Sequence, residues 1–288
     1  MNPLRKLLRT ESEWNPKVIL GRTVTSLLPE SALHTLKKHY YGYLLTHVPE
    51  EWMESDASLL PYLVRSGDRV VDVGANLGMY SRRLAKLVGP HGAVYAFEPI
   101  PQTFDFLNYN LQKLGLRQVE RHCFALSDSE RSDVMVIPKY RWGSECWYDA
   151  RVKTAAAQAD WRQIEVHSRT LDSFDLPPVS FVKCDANYHE LQVLRGALAT
   201  IKRDHPALLI EVNPDPDDST TTAFETFGLL RDLGYGAYCW KQERLEPRRV
   251  GQRSQNYFFL TESQARHVLI DSETAQSAGT LRTTSVNS

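Results

Sequence analysis

An acid leads into a glycine-bracketed turn at Asp72-Val73-Gly74-Ala75-Asn76-Leu77-Gly78, and a second acid, Glu98, follows twenty residues after Gly78. Gly74 permits a tight turn that most side chains would block. Gly78 allows close approach of a ligand or a neighbouring backbone. A helix starting there offers unpaired N–H groups to an anionic group such as a carboxylate. An acid placed as Glu98 is accepts hydrogen bonds from both hydroxyls of an adenosine ribose. A further constellation, Asp185-Ala186-Asn187-Tyr188-His189-Glu190, follows the apolar run VSFVKC. Histidine is the usual general base near neutral pH, and His189 beside Asp185 is placed to take a proton from a hydroxyl. The plain alternative for His189 and Glu190 is a helix first turn facing solvent. Glu211 lies inside the apolar run LLIEV, where a carboxylate is costly unless paired, so it is either a site residue or the partner of a base such as Lys183.

These residues need elements to hold them. Residues 69–74 read as a strand buried on both faces, 79–88 as a helix, 93–99 as a second strand and PQTFDFLNYNLQKLGL as a second helix. VERHCFALS reads as a third strand. The rhythm resumes with VSFVKCD (strand), HELQVLRGALATIKRD (one helix), PALLIEVNP (strand), a helix near 222–233, then YGAYCW and SQNYFFL as an antiparallel pair. Strand–helix alternation implies right-handed crossovers and a parallel sheet. Between these blocks SDVMVIPKY and IEVHSRTLDSF look like strands, and 139–163 reads as an insertion or substrate loop. Residues 1–65 read as a helical extension, with Pro49, Glu50 and Glu51 suiting a helix first turn. Residues 271–288 read as a disordered tail, being rich in Ser and Thr and poor in large apolar side chains.

Composition narrows the classes. The 288 residues are 42% hydrophobic and 24% charged, ordinary for a globular protein and unlike disordered or collagen-like chains. The formal net charge of −1 gives no global attraction to nucleic acid. No apolar run reaches the ~20 residues of a membrane span. The basic N-terminus, interrupted by Arg5, Lys6 and Arg9, does not read as a secretory signal. Cysteines 123, 146, 184 and 239 form no CxxC pair and no zinc-ligand spacing, so reduced thiols and a cytoplasmic location are expected, with no metal.

Two cofactor classes share the layout of Asp72, Gly74, Gly78 and Glu98. Dinucleotide enzymes use GxGxxG, because a pyrophosphate must lie against the backbone. Here Asn76 fills the second glycine slot and obstructs a pyrophosphate, whereas S-adenosylmethionine has none. Asp72 also suits the ammonium of its methionine moiety.

With these residues in view, the sequence resembles the FkbM-type family of S-adenosylmethionine-dependent methyltransferases. The resemblance rests on RVVDVGANLGMYSRRLAK, VYAFEPIPQTFDFLNYNLQKLGL, FALSDSE, TLDSF, VSFVKCDANYHELQVLRGA and LLIEVNP, spanning about 66–214. It implies an α/β class I methyltransferase (Rossmann-like) fold, with a seven-stranded, mostly parallel sheet whose last strand is antiparallel. The methyltransferase domain would then occupy 66–262, with S-adenosylmethionine as cofactor. The resemblance also implies O-methylation of hydroxyls, often on polyketides or sugars. It assigns Asp72, Gly74, Asn76, Gly78 and Glu98 to the cofactor, and Ala125, Leu126, Ser127 and Asp128 to the adenine region. Asp185 falls beside the methyl-transfer position, with His189 and Glu211 as further catalytic candidates.

The chain departs from the family pattern D-V-E-G-x-E at Asn187 and Tyr188. Asn cannot act as a carboxylate base, so a mechanism needing acids at both 185 and 187 is in doubt. Tyr188 adds bulk where the family has glycine. These departures motivate one competitor, a non-catalytic S-adenosylmethionine-binding protein. An RNA methyltransferase is a second, disfavoured by the neutral charge. A nicotinamide oxidoreductase is a third, disfavoured by Asn76. NPDP at 213–216 resembles an amino-methyltransferase motif only superficially, since it follows the fifth strand and not the fourth. The 241–253 loop carries Lys241, Arg244, Arg248, Arg249 and Arg253, which would suit a phosphate or carboxylate of a small-molecule or glycan acceptor, or simply a solvated hairpin.

Overall fold

A computed structural model describes residues 29–47, 55–139, 145, 147–153 and 158–271. Its strands are β1 (Arg69–Val73), β2 (Ala93–Phe97), β3 (Val119–His122), β4 (Ala125–Leu126), β5 (Arg131–Ile137), β6 (Arg151–Val152), β7 (Arg162–Arg169), β8 (Phe181–Cys184), β9 (Ala207–Glu211), β10 (Gly236–Lys241), β11 (Arg244–Pro247) and β12 (Asn256–Leu260). The helices are α1 (Glu30–His47), α2 (Leu60–Leu63), α3 (Met79–Val88), α4 (Pro101–Lys113), α5 (Glu190–Arg195), α6 (Leu198–Asp204) and α7 (Thr222–Asp232). The expected helix start at 49–51 and all of the tail except Asp271 lie outside the described residues.

The main sheet runs β11-β10-β12-β9-β8-β1-β2-β3. β3, β2, β1, β8 and β9 are mutually parallel, and β12 is antiparallel to both β9 and β10. This is the expected α/β sheet with one antiparallel strand, plus an eighth strand that the sequence did not announce. β10 turns into β11 through Gln242 and Glu243, both with positive φ (49° and 59°). Paired positive φ values make the tight hairpin that Asn-Gly normally signals. Here ordinary side chains adopt it, so the strand was hidden in what read as a loop.

Period-2 alternation sends successive side chains to opposite faces. Val70 enters one apolar layer with Leu84, Leu107 and Phe258, while Val71 and Val73 enter the other with Phe97, Ile210 and Phe259. Each fully buried Phe contributes roughly 1.5–3 kcal/mol. The central strands are therefore the rigid floor from which the loops at their carboxyl ends project.

Two expected elements are divided. VERHCFALS splits into β3 in the main sheet and β4 in a second, four-stranded sheet ordered β4-β7-β5-β6. The stretch HELQVLRGALATIKRD breaks at Gly196 into α5 and α6. A Cβ on Gly196 would lie 1.9 Å from the Ser127 carbonyl oxygen, so the backbones touch here. The start of α6 is capped from a distance by Asp172, whose carboxylate accepts from Ala199 N (2.9 Å), Thr200 N (2.9 Å) and Thr200 Oγ1 (2.7 Å). α1 lies on α4, where His34 and Lys38 each reach Asp105 at 2.8 Å.

Candidate active site

The carboxyl ends of β1, β2 and β8 open into a solvent-connected cleft of about 740 Å³. The second sheet roofs it through Met135, Ala150 and Val152, together with Trp147. Of the cofactor candidates, Gly74, Asn76, Glu98, Ala125 and Leu126 line the cleft, as do the catalytic candidates Asp185 and His189.

Glu98 is only 5% exposed and organises the rim. Its Oε2 accepts from Asn76 N (3.0 Å) and its Oε1 from Ile100 N (3.1 Å). Asn76 adopts φ 51°, a left-handed conformation that Asn tolerates, and this delivers its N–H to Glu98. Burial pushes the Glu98 carboxyl up to about 7, against the lowering effect of the two N–H donors.

Beneath the first turn, Asp72 is fully buried and does not line the cleft. Its Oδ2 accepts from Ser81 Oγ at 2.6 Å, and Lys183 Nζ stands 3.9 Å from Oδ1. Asp72 and Lys183 are register partners across β1 and β8. Lys183 also reaches Asp185 Oδ2 and the carbonyl oxygens of Val73 and Gly74, each at 3.4 Å. One ammonium thus ties two acids and the glycine turn together. Burial raises the Asp72 carboxyl, and Lys183 opposes that shift. Sequence reasoning named Lys183 only as a possible partner of Glu211; its register with Asp72 was the missing signal.

The remaining candidates lie outside the cleft lining. Gly78 packs against Leu107 and Leu111 of α4. Asp128 pairs with Arg131 at 2.6 Å. Glu211 accepts from Gln255 Nε2 at 3.1 Å and Asn213 Nδ2 at 3.4 Å. Ser127 is buried and supports the site from behind, its Oγ 2.9 Å from His189 Nε2 and 2.8 Å from Arg131 Nη2. Ser127 has one hydroxyl proton, and both Asp128 Oδ1, at 3.4 Å, and His189 Nε2 lie within its reach, so the proton's direction sets the His189 tautomer. Burial lowers the His189 pKa, so the ring is neutral near pH 7.

The two departures have separate explanations. Asn187 Nδ2 donates to Ala150 O at 2.9 Å, tying the loop after β8 to the roof. An ionised acid has no proton to donate there. Tyr188 sits at φ 76°, a conformation suited to the glycine it replaces, and is 48% exposed. Its ring lies 5.6 Å from the Arg151 guanidinium. Tyr188→Gly is expected to stabilise the fold by about 1 kcal/mol, read as a higher melting temperature; an unchanged or lower one would show that the ring contact outweighs the backbone strain. Glu190 is buried and holds the same loop, accepting from Ala186 N and Tyr188 N, each at 3.1 Å.

Two of the five basic residues of the 241–253 loop are paired. Arg248 pairs with Asp217 at 2.5 Å and Arg253 with Asp215, so the acids after β9 have a structural use. Among the described residues, no group of three or more His, Cys, Asp or Glu is placed to hold a metal. Cys123, Cys184 and Cys239 are in no disulfide, and Cys146 lies outside the described residues. No described helix is long and apolar enough to cross a membrane.

Residues 72–236, more than half the chain, match the model of the methyltransferase FkbM domain. The chain belongs to the FkbM methyltransferase family. It is 24% identical over 143 residues to Methyltransferase 1 of Beauveria bassiana, covering 44% of this chain and 57% of that one. It is 49% identical over 53 residues to a protein-L-isoaspartate O-methyltransferase of Aeropyrum pernix, covering 18% of this chain and 20% of that one. The chain therefore spans well under two thirds of these relatives. Among solved structures, the FkbM methyltransferase of Methylobacillus flagellatus aligns with TM-score 0.47 and 16% identity, covering 83% of this chain and 57% of that one.

Proposed function

We propose that this FkbM-family chain transfers a methyl group from S-adenosylmethionine to a hydroxyl of a small molecule or glycan, with residues 66–262 as the methyltransferase unit. The observation that carries the reading is Glu98, a carboxylate held by two backbone N–H groups on the rim of a cleft that also presents Gly74 and Asp185. Each Glu98 oxygen keeps a lone pair for a ribose hydroxyl. Phe124, Ala125 and Leu126 offer an apolar wall to a flat base, and the Gly74 backbone with Asp185 lines the side left to an amino-acid moiety. When bound, S-adenosylmethionine supplies a methyl group already activated by its sulfonium.

The chain's own contribution is alignment and proton removal. Neutral His189 takes the acceptor's hydroxyl proton on its unprotonated ring nitrogen, and the Ser127–Arg131–Asp128 network fixes the ring. A catalytic reading is favoured over passive binding because Asp185 and His189 line the cleft while Tyr188, the bulkier departure, points to solvent.

Calorimetry with S-adenosylhomocysteine tests the donor half: no binding sinks the proposal. For the acceptor half, His189→Ala is expected to lower kcat by about 10²-fold, typical of losing a general base, while shifting S-adenosylhomocysteine affinity less than about threefold. A pH–rate profile that the substitution leaves unchanged would remove His189 from this role.

A further inference from the structure

Ser127 is fully buried, so its hydroxyl must find its partners within the protein. Its backbone is fixed: Ser127 N donates to Arg169 O at 2.9 Å, and its carbonyl oxygen abuts Gly196. The hydroxyl has one proton and two lone pairs, and three groups stand around it. Arg131 Nη2, at 2.8 Å, can only donate. Asp128 Oδ1, at 3.4 Å, belongs to a carboxyl that Arg131 holds below its ordinary pKa, so it accepts. His189 Nε2, at 2.9 Å, can do either.

Two arrangements are open. In the first, the Ser127 proton goes to Nε2, and the ring carries its own proton on Nδ1. The second Ser127 lone pair is then left facing the Asp128 carboxylate. In the other, Arg131 and Nε2–H fill both lone pairs, and the hydroxyl proton goes to Asp128. Only the second arrangement gives every group a partner of the right kind.

Charge favours the same arrangement. Arg131 bonds Asp128 at 2.6 Å and Asp133 at 3.0 Å, so the cluster presents one negative charge in excess to the ring. A ring N–H turns its positive end towards that charge. Ser168 Oγ holds the far side of Asp133 at 2.6 Å. The other charged groups nearby are engaged elsewhere. Glu190 accepts from Ala186 N and Tyr188 N, Lys183 reaches Asp185, and Arg169 keeps its guanidinium 4.2 Å from the centre of the Phe174 ring.

We propose that Asp128, acting through the Ser127 hydroxyl, selects the Nε2–H form of His189 and so makes Nδ1 the proton acceptor. Asp128 and Ser127 are positioning residues. When Nδ1 takes a proton, the ring keeps its Nε2–H and the hydroxyl proton already lies towards Asp128, so nothing has to turn. The excess negative charge then meets a positive ring. Asp128, which the resemblance assigns to the adenine region, gains a different use. The role of Nδ1 as base rests on the function proposed above; the tautomer does not.

The test is nitrogen NMR of the full chain, labelled in its histidine rings, at about pH 8, where histidine is neutral. His189→Gln assigns the signals by their loss. Protonated and bare ring nitrogens resonate far apart, so the spectrum reads the ratio of the two forms. In the native chain Nε2–H is expected to exceed Nδ1–H by about tenfold or more, as for one charge-assisted hydrogen bond. Asp128→Ala, at a surface position, should lower that ratio by about tenfold or more. Asp128→Asn keeps an accepting oxygen and should leave Nε2–H the major form. A purely structural Asp128 would move the melting temperature and not the ratio. The proposal is overturned if the native chain favours Nδ1–H, if Asp128→Ala leaves the ratio unchanged, or if Asp128→Asn lowers it as far as Asp128→Ala does. The native spectrum decides even where a variant fails to fold. A chain with the expected ratio that binds no S-adenosylhomocysteine overturns the function and leaves the tautomer standing; one that binds it with the opposite ratio does the reverse.

Discussion

Glu98→Ala is expected to weaken S-adenosylhomocysteine binding by about 10²-fold or more. Two hydrogen bonds to a charged acceptor are worth roughly 1.5–3 kcal/mol each, and both would be lost. The substitution also leaves Asn76 N and Ile100 N without their acceptor, loosening the rim that shapes the ribose position. The same residue gives the interaction a pH dependence. Its folded pKa, about 7, lies above the ordinary carboxylate value of 4.5. A proton on Glu98 therefore favours the folded state between those values, and this contribution to stability is lost as pH rises through about 7. Ribose hydroxyls need the ionised form, so nucleoside affinity should rise through the same region. Calorimetry across neutral pH should show proton release on binding in the native chain and none in Glu98→Ala. A native affinity independent of pH, or an unchanged dissociation constant in the variant, would remove Glu98 from the ribose site.

Gly74→Ala is expected to destabilise the fold by about 3 kcal/mol. The position has φ 73°, and a Cβ would lie 2.0 Å from the Asp185 carbonyl oxygen. A left-handed L-residue costs roughly 1–2 kcal/mol, and overpacking roughly 1–3. The clash is with backbone, so no side chain can swing away. Relief requires β1 and β8 to part where Lys183 joins Asp72 to Asp185. Thermal melting should fall by about 10 °C. A variant melting within about 2 °C of the native chain would mean that the two strand ends are not in contact.

The cleft's floor was legible in the sequence because it is local. Asp72 through Gly78 and Glu98 lie at fixed offsets from two apolar strands, and the alternation of strand and helix put both at one end of a parallel sheet. Residues whose role depends on distant partners were not legible. Asp72 read as a ligand contact, yet β8 brings Lys183 against it and α3 brings Ser81, so it works beneath the loop. Glu211 read as a site residue or the partner of a base; it accepts from Gln255 and Asn213, which lie in loops outside the cleft lining. Trp147 fell in the stretch read as an insertion or substrate loop, whereas Met135 had no signal, since β5 comes over the cleft only by pairing with β7 across that stretch.

The roof and the floor differ in what holds them. The floor is clamped between two broad apolar layers, whereas the roof closes on a small cluster around Ile100, Ala125, Met135, Ile137, Ala150 and Val166. Local unfolding costs least where little apolar surface is buried. Under the proposed function, the roof is the layer whose opening for nucleoside exchange costs least, with the Asn187–Ala150 hydrogen bond as one of its latches. On that reading, substitutions in the roof cluster alter the residence time of a ligand, whereas substitutions in the two broad layers alter resistance to heat.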